Sequence, residues 1–130
     1  MLTNASVSTM LPATDMERAE KFYGETLGLR QVAKNPGGTT FETSNGNQIF
    51  VFGRGATKAD HTVASFHVED FEAAFNGLKA KGVTFEEYDQ PGLKTENGVV
   101  TMGNVKLAWF KDTEGNILGL FSKQSGNDDE

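Results

Sequence analysis

The chain is built twice over, and this internal repeat constrains its fold more than any other feature. In each copy a strand-like run, Ser6–Leu11 and then Thr62–Val68, leads into a segment that opens like a helix. Asp15 and Asp70 stand at the two openings. A short carboxylate there accepts hydrogen bonds from the free amides of the first turn. Phe71, Ala74, Phe75 and Leu78 fall at i, i+3, i+4 and i+7, one apolar helical face. Met16, Ala19, Phe22 and Tyr23 make the corresponding face in the first copy. The helices are therefore expected near Met16–Glu25 and Phe71–Lys81, with Gly82 in the position of a left-handed C-terminal cap.

Strand-like runs follow each helix. In the first copy they are Leu29–Ala33, Thr39–Thr43 and Gln48–Phe52. In the second they are Val83–Tyr88, Lys106–Phe110 and Ile117–Phe121. Asn45-Gly46-Asn47 and Glu114-Gly115-Asn116 are the turns before the last strands, where glycine supplies positive φ and asparagine tolerates it. Asp15 and Asp70 are 55 positions apart, whereas Gly46 and Gly115 are 69 apart. The second copy therefore holds 14 extra residues, placed in Asp89–Gly103 and expected as an irregular loop, because Gln90-Pro91-Gly92 and Glu96-Asn97-Gly98 are turn sequences. The architecture expected is α+β: two tandem βαβββ modules in one domain, 1–122, with the first module at 6–53 and the second at 62–122.

The 130 residues make one ordinary domain, long enough to bury a core without covalent staples. There is no cysteine, which excludes disulfides, thiolate metal sites and a cysteine nucleophile, and fits a reducing cytoplasm. Met1–Leu11 lacks a basic region followed by a long apolar run, so no signal peptide is expected. No segment approaches the roughly 18 apolar residues of a membrane span. The formal charge is -6 without a basic stripe, which argues against nucleic acid as a partner. The polar segment 123–130, ending Asn127-Asp128-Asp129-Glu130, is expected as a flexible acidic tail.

Two stretches resemble the vicinal oxygen chelate superfamily of glyoxalase-like, bleomycin-resistance-like and dioxygenase-like proteins. Pro12-Ala13-Thr14-Asp15-Met16-Glu17-Arg18-Ala19, leading to Phe22-Tyr23 and Leu27-Gly28-Leu29, is similar to the opening of the family's first module. Ala108-Trp109-Phe110-Lys111-Asp112-Thr113-Glu114-Gly115-Asn116-Ile117-Leu118 is similar to its closing hairpin, with Thr113 where proline is usual. The resemblance spans nearly all of Val7–Phe121 and implies two curled four-stranded modules, a helix on the outer face of each, enclosing a cleft. It also implies a homodimer, since small members commonly pair their modules and exposed sheet edges need cover.

Metal-using members place His, Gln or Glu at four inward points, one on the first and one on the last strand of each module, for a divalent ion that wants imidazole nitrogen or carboxylate oxygen. Carried onto this chain, those points are Ser8, Phe50, Val63 and Gly119. One neutral hydroxyl and three groups without a donor do not make a catalytic metal site, so neither metal nor other cofactor is expected.

Strand parity directs Ser8, Met10, Phe50, Phe52, Val63, Ser65, Ile117, Gly119 and Phe121 inward, and Trp109 lies on the strand before the closing turn. Aromatic faces suit flat organic ligands, and Gly119 is expected to leave room for one. The same residues would equally serve to fill a core. His67 shares the parity of Val63, and Glu42 lies on a strand; both are weak candidates for acid/base groups. A lone histidine is also what a hydrogen-bonded structural residue looks like. His61 lies just before its strand, and either Glu86 or Glu87 must face inward.

Three readings follow. The first is a metal-free cytoplasmic protein that binds a small hydrophobic or aromatic molecule, as drug-sequestering members of the superfamily do. The second is an enzyme, a lyase, isomerase or dioxygenase, with a displaced metal or with metal-free acid/base groups. The third is an interaction module with a filled cleft.

Overall fold

The computed structural model describes residues 1–43, 46–58 and 60–123. The elements run β1 (Ser8–Ala13), α1 (Met16–Lys21), β2 (Arg30–Asn35), β3 (Gly38–Glu42), β4 (Gln48–Gly53), β5 (Thr62–Val68), α2 (Phe71–Ala80), β6 (Asp89–Gln90), β7 (Leu93–Lys94), β8 (Val100–Met102), β9 (Val105–Lys111) and β10 (Ile117–Ser122). The chain divides into two compact units. One is Met1–Lys58 with the turn Thr113–Asn116; the other holds the described residues between Ala59 and Asp112 and from Ile117 on.

The two sheets repeat one topology. The first runs β1-β4-β3-β2 and the second β5-β10-β9-β8. In each the first strand pairs parallel with the last, and the remaining pairs are antiparallel. This is the tandem βαβββ arrangement expected from the repeat.

In the first unit Leu11, Ala13, Phe41, Ile49 and Val51 are buried on one face of the sheet together with Ala19 and Tyr23. The Tyr23 and Phe41 rings lie 5.9 Å apart, which fixes this as the helix face. Asp15 caps α1 by accepting from the Arg18 amide at 3.1 Å. The helix expected to reach Glu25 changes character at Phe22. Phe22–Thr26 is a π-helical turn, closed by the Leu27 amide on the Phe22 carbonyl at 2.9 Å. The wider turn lets the adjacent Phe22 and Tyr23 both be buried. Gly38 is needed for close approach: a Cβ there would stand 2.3 Å from the Val51 carbonyl oxygen and 2.7 Å from the Phe50 ring.

In the second unit Asp70 caps α2 through the Ala73 amide at 3.0 Å. Gly82, at φ 95, ends it in the left-handed region, and the Val83 amide reaches back to the Leu78 carbonyl at 3.0 Å. The helix face is aromatic. Phe71 stacks on Phe75, Phe75 meets Phe85 at 4.4 Å, and Phe85 meets Phe110 at 5.5 Å.

The strand expected at Val83–Tyr88 is corrected. Only Phe85 bridges to Phe110, and the Glu86 amide donates to the Trp109 carbonyl at 2.7 Å. The chain then leaves the sheet, and the edge position is taken by Val100–Met102, inside the segment expected to be an irregular loop. Phe85 opposes Phe110 and Val100 opposes Leu107, so fifteen steps along one strand match three along the other and twelve residues form an excursion. The excursion is ordered, with β6 and β7 paired as a short hairpin. Thr95 pins its base: its Oγ1 accepts from the Tyr88 amide at 2.8 Å and donates to Glu87.

Of the turn Asn45-Gly46-Asn47, Asn45 lies outside the described residues, while Gly46 has the positive φ expected of it. Of the tail, only Lys123 is described; its amide donates to the Val68 carbonyl at 2.8 Å, and 124–130 lie outside the described residues. No helix among the described residues is long and apolar enough to cross a membrane.

Candidate functional site

In each unit the face of the sheet turned away from the helix gathers the residues singled out from the sequence. On the first unit it carries transverse rows set by register. Ser8 pairs with Gln48, Gln48 with Glu42, and Glu42 with Arg30, so one row crosses all four strands with polar side chains. The next row is Met10, Phe50, Thr40 and Ala33. Met10 is 54% exposed, while Phe50 and Phe52 are half-buried. Arg30 and Gln48, which no local pattern singles out, are the partners of Glu42. The Arg30 guanidinium forms an ion pair with Glu42, and Gln48 Nε2 lies 3.5 Å from its other oxygen. Glu42 is therefore a held carboxylate and not a free base.

On the second unit the corresponding face carries rings. Gly119 pairs with Ser65 on one side and Trp109 on the other; Phe121 pairs with His67 and Leu107. His67 meets Phe121 at 5.6 Å, Phe121 meets Trp109 at 5.9 Å, and Trp109 meets Tyr88 at 5.6 Å, with interplanar angles of 84°, 78° and 72°. Edge-to-face contact of this kind suits the ring quadrupoles. Tyr88 enters the row because the chain has just left the sheet at Glu86. Burial, and then the Glu86 charge, raise its phenol above the ordinary range. Val63 falls at the irregularity beside the Ala64–Leu118 pair and has no register partner.

The room expected at Gly119 is already taken. A Cβ there would lie 2.8 Å from the Phe121 ring and 3.0 Å from Ser65 Oγ. Glycine serves here to let Phe121 fold back across its own strand toward Trp109. Trp109 in turn is only 9% exposed, so it backs the row instead of fronting it. His67 is exposed, and His61 is exposed 3.6 Å from Asp60.

The four points carried over for a metal do not fit one. Ser8 stands in a row whose single carboxylate is held by a guanidinium, Phe50 lies over Gly38, Val63 has no donor, and Gly119 lies under a phenyl ring. Among the described residues no three His, Cys, Asp or Glu side chains gather as ligands.

The turn Thr113–Asn116 belongs to the first unit and holds its most buried carboxylate. Glu114 Oε1 accepts from the amides of Thr14 and Asp15 at 2.9 and 3.0 Å, and Oε2 from Arg18 Nε at 2.7 Å. Burial would raise this carboxyl, but hydrogen bonds from Arg18, Thr113, the Asp15 amide and Thr14 outweigh it and lower it to about 2. Asn116 Nδ2 donates to the Pro12 carbonyl at 3.0 Å. The closing motif is thus structural, and the sequence carried no signal that Glu114 would meet the start of α1.

Comparison with known proteins agrees with this geometry. No curated protein matches the chain. A glyoxalase/bleomycin resistance protein/dioxygenase superfamily member from Sphaerobacter thermophilus has 22% identity and a TM-score of 0.74, over 95% of this chain and 100% of that one. The oxidase ChaP-H2 has 23% identity and a TM-score of 0.71, over 94% and 95%. Lactoylglutathione lyase from Agrobacterium tumefaciens has 19% identity and a TM-score of 0.68, over 92% and 95%. At these identities the likeness is one of fold. The family model matches residues 6–120, and the chain belongs to the Glyoxalase/Bleomycin resistance protein/Dioxygenase superfamily.

Proposed function

We propose that this chain binds a small hydrophobic or aromatic organic molecule without a resident metal, on the helix-free face of its second unit. The row His67–Phe121–Trp109–Tyr88 carries the reading. Phe121, Tyr88 and His67 keep accessible ring surface for a flat ligand, with Trp109 buried behind them, and each ring contact is worth roughly 0.5–1.5 kcal/mol beyond area burial. Ser65 and His67 add polar groups at its margin, the usual composition of a small-molecule site. Pairing of two copies, a cytoplasmic location and the lack of a nucleic-acid partner belong to the same proposal.

Trp109 is the sole tryptophan, so its fluorescence reports this face alone. Titration with a panel of aromatic and polycyclic compounds tests the reading, and saturable quenching by at least one member supports it. Elemental analysis of protein purified without chelator is the companion measurement. One tightly held transition metal per chain would favour the enzyme reading, with His67 as the remaining acid/base candidate.

A further inference from the structure

The ring row is apolar in the middle and polar at both ends. Its centre is the Phe121 ring, which lies over Gly119 and is backed by the buried Trp109. At one end stands the His67 imidazole on β5; at the other stands the Tyr88 phenol, at the start of the excursion. Neither side chain has a hydrogen-bond partner among the described residues, and no buried side-chain nitrogen or oxygen lacks one. The Tyr88 hydroxyl therefore keeps contact with solvent, and His67 is an exposed residue. Both residues are nevertheless held in place. Tyr88 is fixed by its ring contact with Trp109 and by its amide on Thr95 Oγ1. His67 is fixed by its ring contact with Phe121 and by its place in the β5–β10 ladder.

We infer that Tyr88 and His67 set ligand specificity, and that the ligand is an elongated aromatic molecule of two or more rings carrying a hydrogen-bonding substituent at each end. The inference rests on the binding reading above and deepens it. A phenol and an imidazole both donate and accept, so hydroxyl or carbonyl substituents suit either end. An apolar ligand that displaced water from these two groups without replacing its hydrogen bonds would leave them unpaired, and that selects against it.

The test uses isothermal titration of the full chain with biphenyl, its mono-para-hydroxy derivative and its di-para-hydroxy derivative. Each hydroxyl is expected to tighten binding by roughly 3–10-fold. Tyr88→Phe keeps the ring contact with Trp109 and removes only the hydroxyl. His67→Phe likewise keeps a ring against Phe121. Each variant is expected to bring the diol down to the affinity of the mono-hydroxy compound and to tighten biphenyl, which no longer leaves that group unpaired. A diol no tighter than biphenyl, or variants that weaken all three compounds alike, would overturn the inference while leaving the binding reading in place. Failure of all three to bind the wild type would overturn both.

Discussion

The Glu114 carboxylate lies 2.7 Å from Arg18 Nε, and only 1% of the Glu114 side chain is exposed against 50% for Arg18. Its oxygens also take the Thr14 and Asp15 amides, donors left over at the start of α1. One acidic side chain thereby satisfies two backbone donors and a guanidinium in a single buried spot.

A pH dependence follows from that arrangement. The Glu114 carboxyl is lowered from 4.5 to about 2 in the folded chain. Its stabilisation is complete above the unfolded value and is lost as pH falls through the window from about 5 to 2. It amounts to roughly 2–3 kcal/mol, after allowing for solvent around half-exposed Arg18. Glu114→Gln should lose about that much at pH 7 in denaturant unfolding, with the gap from wild type narrowing at pH 3. An equal gap at both values would contradict the assignment.

Gly119→Ala is expected to push the Phe121 ring off its own strand, because the added Cβ would stand 2.8 Å from it. Overpacking of this kind costs about 1–3 kcal/mol. The variant should fold, since the ring is the free end of a side chain, but with altered Trp109 fluorescence in the absence of any ligand. An emission spectrum identical to wild type would show that Phe121 does not rest there.

Thr95→Val removes the hydroxyl that holds the Tyr88 amide and Glu87. The Tyr88 amide is then left without its acceptor, at a cost of about 1–3 kcal/mol. Hydrogen exchange at that amide should accelerate by at least tenfold while the β9 amides stay protected. Unchanged protection at Tyr88 would mean that something other than Thr95 anchors the excursion.

How far the sequence reached can be judged residue by residue. Asp15, Asp70, Gly82 and the glycines before the last strands were legible because capping and positive φ are local demands. The count of 14 extra residues located the excursion. It could not reveal that Val100–Met102, and not Val83–Tyr88, holds the sheet edge, because pairing with Val105–Leu107 is decided across strands. The same holds for the site. Alternation selected Phe121, His67 and Gly119, but Tyr88 arrives through the excursion, and the Phe121 ring over Gly119 is a rotamer that no spacing encodes. Glu42 was visible as a carboxylate on a strand; that Arg30 holds it depends on a register with a bulge near Val32.

Mapping amide chemical shifts by NMR while titrating an aromatic compound that quenches Trp109 tests the central claim most directly. The account predicts saturable shifts concentrated at Ser65, His67, Leu107, Trp109, Gly119, Phe121 and Tyr88, with the α2 amides little changed. Shifts confined to the polar row Ser8, Gln48, Glu42 and Arg30, or scattered over both helices, would contradict it.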